Sequence, residues 1–517
     1  MKKLKIFTFL SIVSGLLLIA SSLVLADVGD FGFFGGISSG RKLPKTTELI
    51  LDKQKSKSKK DDLESIYKEV MFLTGVPTTF EGKITVKGEE DIDLSSTTKA
   101  DTYDVTYTLG STSTTDPQNQ IARNIKYKVN YRIEDKQIVK DYDVDSWSET
   151  VTINGASYAL DEDQSESSIS ILESHTPGVT YYKGNIAHKA VYVLDDQKVV
   201  MELSGAFYGY SSAWSSTETH RIDGTITTDS WQMQYQVRPS VSMGKVLQYS
   251  ENEPLATSFS GNYREVMQNK SGLSYNIYSM PKANTYNVAT TGNVSIDTYN
   301  TFEQLIAPDL GFLKGHYAES DIKKLFAMQI LDGEPTYYQP SQAITRGQFV
   351  TMLVKAVKLP IEDTSTKKKK TSKKNQTVVN IVFPDVTENR TDYPYIMAAY
   401  KSGLAVGRDN GHFYTDSPIE RQEAIVILLR TLGLESLGLS PTPVTSFVDD
   451  KYIASWAKKE VYAAARLGII AGDVDGNFRP KSYVSKAEAA AFVNRLVTYM
   501  RSDLQTDYTE NIVNYAN

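Results

Sequence analysis

Three cations stand where elementary electrostatics disfavours them. Arg346 follows Thr345, Arg421 follows Glu420 and Lys486 follows Ser485, each at the first position of an apolar-periodic segment. The N-terminal end of a helix dipole is positive, so a cation there carries a small penalty. Thr345 with Gln348 and Ser485 with Glu488 have the spacing of a capping box, which explains those four residues structurally. Glu423 takes the same acidic position in the second segment, behind Glu420, a weaker capper. The cations between have no such explanation. A helix N-terminus with free N–H groups and an adjacent cation is an anion site, so Arg346, Arg421 and Lys486 are read as three ligand contacts. The competing reading is a solvated or carboxylate-paired side chain.

The elements that would position them repeat. Gly407 to Arg421 and Gly472 to Lys486 each span 14 residues, and Gly333 to Arg346 spans 13. Arg421 lies 65 residues before Lys486 and 75 after Arg346, the surplus falling at the lysine-rich "EDTSTKKKKTSKKNQT". In the third unit Ala457, Val461, Ala464, Ala465 and Gly468 form one helix face, and Ala489, Val493, Leu496 and Met500 another. "GDVDGNF" between them is a tight turn, with Gly472 and Gly476 placed for positive φ.

Three ordered copies of these motifs resemble S-layer homology repeats. The resemblance rests on "HYAESDI" (Tyr317) and "SWAKKEV" (Trp456), on Gly468–Gly472 and "GNFRP", and on "ITRGQ", "IERQE" and "VSKAE". It implies a C-terminal all-α module, three repeats forming a pseudo-trimer whose grooves bind a secondary cell-wall polysaccharide, often one carrying a pyruvate ketal. Arg346, Arg421 and Lys486 would then meet that carboxylate, with Tyr317 and Trp456 nearby. Gly333, Gly407 and Gly472 would let the sugar approach the backbone. The first unit departs from the family pattern with "APDL" and a shorter loop, and the second has Thr391 at the aromatic position, so unequal grooves are expected.

Upstream, about two hundred residues alternate apolar and polar, rich in Val, Ile, Thr and Tyr, with turn pairs at Asn154-Gly155 and Asp195-Asp196. They predict a central all-β antiparallel domain, a sandwich or a partly open barrel. A short helix is expected near Glu64–Thr74, and an irregular tail over Glu251–Asn300. The organisation expected is a signal peptide at 1–26, a flexible Gly/Lys-rich spacer at 27–62, the β domain at 63–300, repeats at 301–360, 381–440 and 441–502 around a linker at 361–380, and a tail at 503–517. The basic, apolar leader ending at Ala26 reads as a cleaved export signal, leaving no stable membrane span. Its loss removes three lysines and takes the net charge from −6 to −9, a poor balance for nucleic acid. There is no cysteine, so no disulfide and no lipid-modified anchor is expected.

Chemistry in the β domain is thin. The five histidines are scattered, and neither His-Glu-x-x-His nor Gly-x-Ser-x-Gly occurs. Asp141, Asp143 and Asp145 share a strand face that could bind calcium, though a solvated face accounts for them. No cofactor, metal or catalytic residue is expected. The sequence reading is an exported wall-anchored protein, with a wall-anchored carbohydrate-active enzyme or a lattice-forming S-layer subunit as alternatives.

Overall fold

The computed structural model describes residues 35–39, 43–52, 63–88, 98–134, 136–250, 262–279, 291–298, 300–362, 382–408, 410–434 and 443–508. The leader, most of the 27–62 spacer, the lysine-rich stretch of the linker and the end of the tail lie outside the described residues.

The strands run β1 (Ile37–Ser38), β2 (Leu51–Asp52), β3 (Leu63–Met71), β4 (Thr78–Lys87), β5 (Thr98–Ser113), β6 (Gln120–Glu134), β7 (Gln137–Ile153) and β8 (Ala156–Leu160). They continue with β9 (Glu166–His175), β10 (Val179–Leu194), β11 (Gln197–Ser212), β12 (Ser215–Thr228), β13 (Gln232–Ser250), β14 (Asn262–Ser279), β15 (Thr291–Ile296) and β16 (Thr301–Ile306). Among the described residues all but β2 form one 15-stranded antiparallel meander. Its register is set at tight turns: Asn154 and Gly155 both take positive φ between β7 and β8, as does Asp195 between β10 and β11.

Each long strand sends alternate residues inward. In β6 the inward set is Ile121, Arg123, Ile125, Tyr127, Val129, Tyr131 and Ile133, and the outward set is polar or small: Gln120, Ala122, Asn124, Lys126, Lys128, Asn130 and Arg132. One buried and one water-suited face requires the sheet to curl on itself. It does so as a partly open barrel. Phe72, just past β3, stacks on Tyr235 of β13 at 4.1 Å and meets Tyr275 of β14 edge-on at 5.5 Å. Across the seam Ser271 Oγ donates to Ser38 O at 2.7 Å and Asn269 Nδ2 to Ser39 O. Side chains thus close what the backbone ladder leaves open.

Four expectations change here. The 27–62 segment expected as a flexible spacer supplies β1, whose Ile37 is buried and which pairs with β3, and β2. Residues 64–71 are strand β3 rather than helix, because the strand's inward face alternates as Ser65, Tyr67, Glu69 and Met71. The supposedly irregular 251–300 tail contributes β14 and β15, and the helical region begins after β16 rather than at Thr301.

Beyond β16 come α1 (Glu319–Ala327) and α2 (Arg346–Ala356), then β17 (Ile361–Glu362), which pairs in parallel with β2. They are followed by α3 (Tyr393–Lys401), α4 (Arg421–Arg430), α5 (Lys458–Arg466), α6 (Lys486–Thr498) and, after a π-helical turn at Tyr499–Asp503, α7 (Leu504–Asp507). The helical module and the barrel share one apolar core. Val179, Tyr210, Trp214 and Tyr263 of the barrel pack with Leu353, Leu428 and Val497 of the helices. The C-terminal ends of the three long helix segments all face the barrel: Trp214 Nε1 donates to Ala356 O at 2.7 Å, Gly178 N to Thr431 O at 2.7 Å and Ser215 Oγ to Met500 O. Carbonyls that a helix end leaves unpaired are met there by the other region. Tyr508 extends the contact, lying buried against Tyr181 and Tyr210.

Candidate functional site

The opposite end of α2, α4 and α6 is a closed ring. Ile344 N donates to Val484 O at 2.8 Å, Val484 N to Ile419 O at 3.0 Å, and Ile419 N to Ile344 O at 3.2 Å. All three side chains are buried. The helices behind them pack cyclically too, α3 on α2, α5 on α4 and α1 on α6. This is the expected pseudo-threefold arrangement.

The helix starts differ from the sequence expectation in one decisive respect: their N–H groups are not free. Arg346 N and Gly347 N donate to Ser417 O and Thr415 O, Arg421 N and Gln422 N to Ser482 O and Pro480 O, and Lys486 N and Ala487 N to Gln342 O and Pro340 O, all at 2.8–2.9 Å. Each helix start is plugged by the loop of the next repeat. The third N–H of α2 and α6 goes to the cap, Gln348 N to Thr345 Oγ1 and Glu488 N to Ser485 Oγ, each at 3.2 Å, with the box closed by Gln348 Oε1 and Glu488 Oε2. The free-N–H premise of a helix-terminus anion site is therefore overturned.

The cations project past this plug. Each lies over the loop aromatic of the next repeat: Arg346 over Phe413 at 4.9 Å, Arg421 over Phe478 at 5.6 Å, Lys486 over Tyr338 at 5.9 Å. There the likeness ends. Buried Arg346 donates from Nη1 to Glu423 and from Nη2 to Val406 O at 2.7 Å. Arg421 Nη1 meets Glu488 Oε1 at 2.6 Å. Burial pushes the Glu488 carboxyl up, but the Ser485 N–H and Arg421 outweigh it and hold it below its ordinary value. Glu423 was expected as a helix cap. It does not cap: its carboxylate is occupied by Arg346 and by Arg408, the latter at 3.0 Å. Lys486 has no carboxylate within ion-pair reach among the described residues, and burial alone lowers its pKa.

The loops differ similarly. Asp385 accepts from Phe413 N and Tyr414 N at 2.8 and 2.6 Å, and Asp449 from Phe478 N and Arg479 N at 2.8 and 2.7 Å. In the first repeat Asp309 instead accepts from Gly311 N at 3.0 Å, and the Tyr338 hydroxyl spans to Lys486 O at 2.9 Å.

Of the glycines expected to admit a sugar, Gly333 has φ +92° and open space beside it. Gly407 and Gly472 do not take positive φ. A Cβ would strike Phe383 at 2.8 Å in the first and meet Gly476 at 3.0 Å in the second, so both serve loop packing. Gly476 takes positive φ as expected, and Gly411 does so in the second loop. Tyr317 is 69% and Trp456 55% exposed, and Tyr317 stands beside Ser485 and Glu488 of the third repeat. Two residues were missed in the sequence, Arg408 and the 82%-exposed Tyr337. Their proximity to the loop glycines Gly407 and Gly333 was the available signal.

In the barrel, Asp141, Asp143 and Asp145 lie on the outer face, bound by Ser170, Asn130 and Lys126 respectively. Most strand tyrosines pack inward.

Comparison with known proteins agrees with this geometry. Residues 313–350, 382–425 and 446–490 match the S-layer homology domain, so the chain carries three such domains. Over 187 residues it is 33% identical to an exoglucanase of Acetivibrio thermocellus, covering 36% of this chain and 16% of that protein. An amylopullulanase of Thermoanaerobacterium thermosulfurigenes is 30% identical over 36% of this chain and 9% of its own length. An S-layer protein of Bacillus licheniformis is 27% identical over 35% and 18%. The chain thus spans less than a fifth of each of these relatives.

Proposed function

We propose that this is an exported envelope protein held non-covalently at the cell surface by an acidic secondary cell-wall polysaccharide, with the barrel pointing away from the wall. One observation carries the reading: the ring end opposite the barrel presents three grooves related by the pseudo-threefold, each with a cation over an aromatic ring. The relatives support it. An exoglucanase, an amylopullulanase and an S-layer protein share a segment of similar size with this chain, and a common segment in proteins of such different names suits an anchor rather than a catalyst. Anchoring calls for no chemistry, and we read the barrel as a displayed or spacing body.

The recognition would combine two elements. Exposed Tyr317, Tyr337 and Trp456 offer flat apolar faces to sugar rings, and a cation takes an acidic substituent such as a ketal-linked pyruvate carboxylate. Weak contacts on one rigid ring add through multivalency.

The test is sedimentation of the full chain, less residues 1–26, with cell-wall sacculi before and after extraction of their non-peptidoglycan polymer. Binding that disappears with the polymer, and weakens in the Tyr317→Ala/Trp456→Ala variant, is the expected outcome. Equal binding to extracted sacculi would overturn the reading.

A further inference from the structure

Resting on the anchoring reading above, we infer that only the groove between the third and first repeats takes the polymer's acidic group, because Gln348 stands where the other two grooves hold a carboxylate of the protein's own. The threefold ring makes the comparison internal to one molecule. Arg346 of the first repeat is met by Glu423, the third helical residue of the second. Arg421 of the second is met by Glu488, the third helical residue of the third. Continuing the cycle, Lys486 of the third repeat should be met by the third helical residue of the first, which is the neutral Gln348.

The two filled grooves therefore show what the position over the loop aromatic holds: a carboxylate on the cation. In the groove between the first and second repeats Glu423 also bridges Arg346 to Arg408. An incoming acid there would have to displace a carboxylate already seated on a buried guanidinium, which desolvation makes unfavourable. In the groove between the third and first repeats the cation has no carboxylate within ion-pair reach among the described residues. This lysine is a compact ammonium that can accept an oxyanion without bidentate geometry. Two tyrosines belong to the same repeat boundary: Tyr338 beneath Lys486, and the exposed Tyr337 next in sequence to it. The backbone N–H groups play no part, being occupied by Gln342 O and Pro340 O. Gln348 keeps the helix cap while withholding the charge. That makes it a specificity-determining residue.

The experiment is a calorimetric titration of the chain less residues 1–26 with soluble acidic wall polysaccharide, and with the same polymer after reduction of its carboxyl groups. Gln348→Glu preserves the capping box, as Glu488 does in the third repeat, and gives Lys486 an internal partner. It should cost at least about tenfold in affinity for the acidic polymer, as should Lys486→Ala, while Lys486→Arg retains binding. Both losses should vanish with the carboxyl-reduced polymer. Arg346→Ala and Arg421→Ala should change affinity less than about twofold, and Glu423→Gln/Glu488→Gln should add binding equivalents by freeing their cations. Thermal melting of every variant separates a folding defect from a binding one. If the parent chain binds but Arg346→Ala or Arg421→Ala abolishes binding while Gln348→Glu does not, this assignment fails and the anchor survives. If the parent chain does not bind the acidic polymer, the anchoring reading fails, and this assignment with it.

Discussion

The barrel and the ring both set arginine against carboxylate, to different ends. Inside the barrel Arg123 donates to Glu149 through Nε and Nη2 at 2.8 Å, and to Glu69 at 3.0 Å. The acids are further bonded by Tyr67, Trp147 and Tyr192, each at 3.1 Å. Every member is buried. In the ring the ion pairs sit at groove edges, with Glu423 and Glu488 partly open to water. A fully enclosed and satisfied network rigidifies the elements that supply it. A pair at a rim can also decide whether a site is occupied from within.

That contrast predicts unequal costs. Arg123→Ala strands two buried carboxylates and should cost about 3–5 kcal/mol in a urea denaturation of the full chain. Arg346→Ala removes a charged hydrogen bond from one carboxylate that keeps Arg408, and should cost about 2 kcal/mol. Equal costs would break the comparison. Thr345→Ala, which deletes the cap over neutral Gln348 and touches neither charge system, should cost about 1 kcal/mol.

Acid sharpens the distinction. Burial pushes the Glu173 carboxyl up, but Lys140 at 2.6 Å and His175 at 2.9 Å outweigh it and hold it at about 2, against an ordinary 4.5. A depressed carboxyl stabilises the fold above its unfolded pKa, and that contribution disappears as pH falls from about 4.5 to about 2. Thermal melts across that window should fall more steeply in the parent chain than in Glu173→Gln, whose melting point should start lower and stay flatter. Parallel curves would show that the pair carries no pH-dependent stability.

Much of this was legible because local rules agreed with the fold. The capping residues Thr345, Gln348, Ser485 and Glu488 act on their own helix, so their spacing reveals them, and Asn154-Gly155 needs no tertiary context to turn. What was hidden depends on the third dimension. β3 was mistaken for a helix because its inward face includes Ser65 and Glu69, while Ile66 faces out at 42% exposure; the buried charges that secure the barrel erased the strand's apolar period. β14 hides in the same way behind inward Glu265 and Ser271. The three cations looked equivalent because their distinguishing partners, Glu423, Glu488 and Gln348, belong to neighbouring repeats.

The three hydrogen bonds from the barrel to Ala356, Thr431 and Met500 have a mechanical meaning. Two bodies joined by a single linker transmit tension through one strand of backbone, which extends before it resists. Here a pull on the barrel loads the bases of all three long helices in parallel, through a common core. Such a joint is stiff at small extension, so a load on the barrel would reach the three-repeat ring undivided.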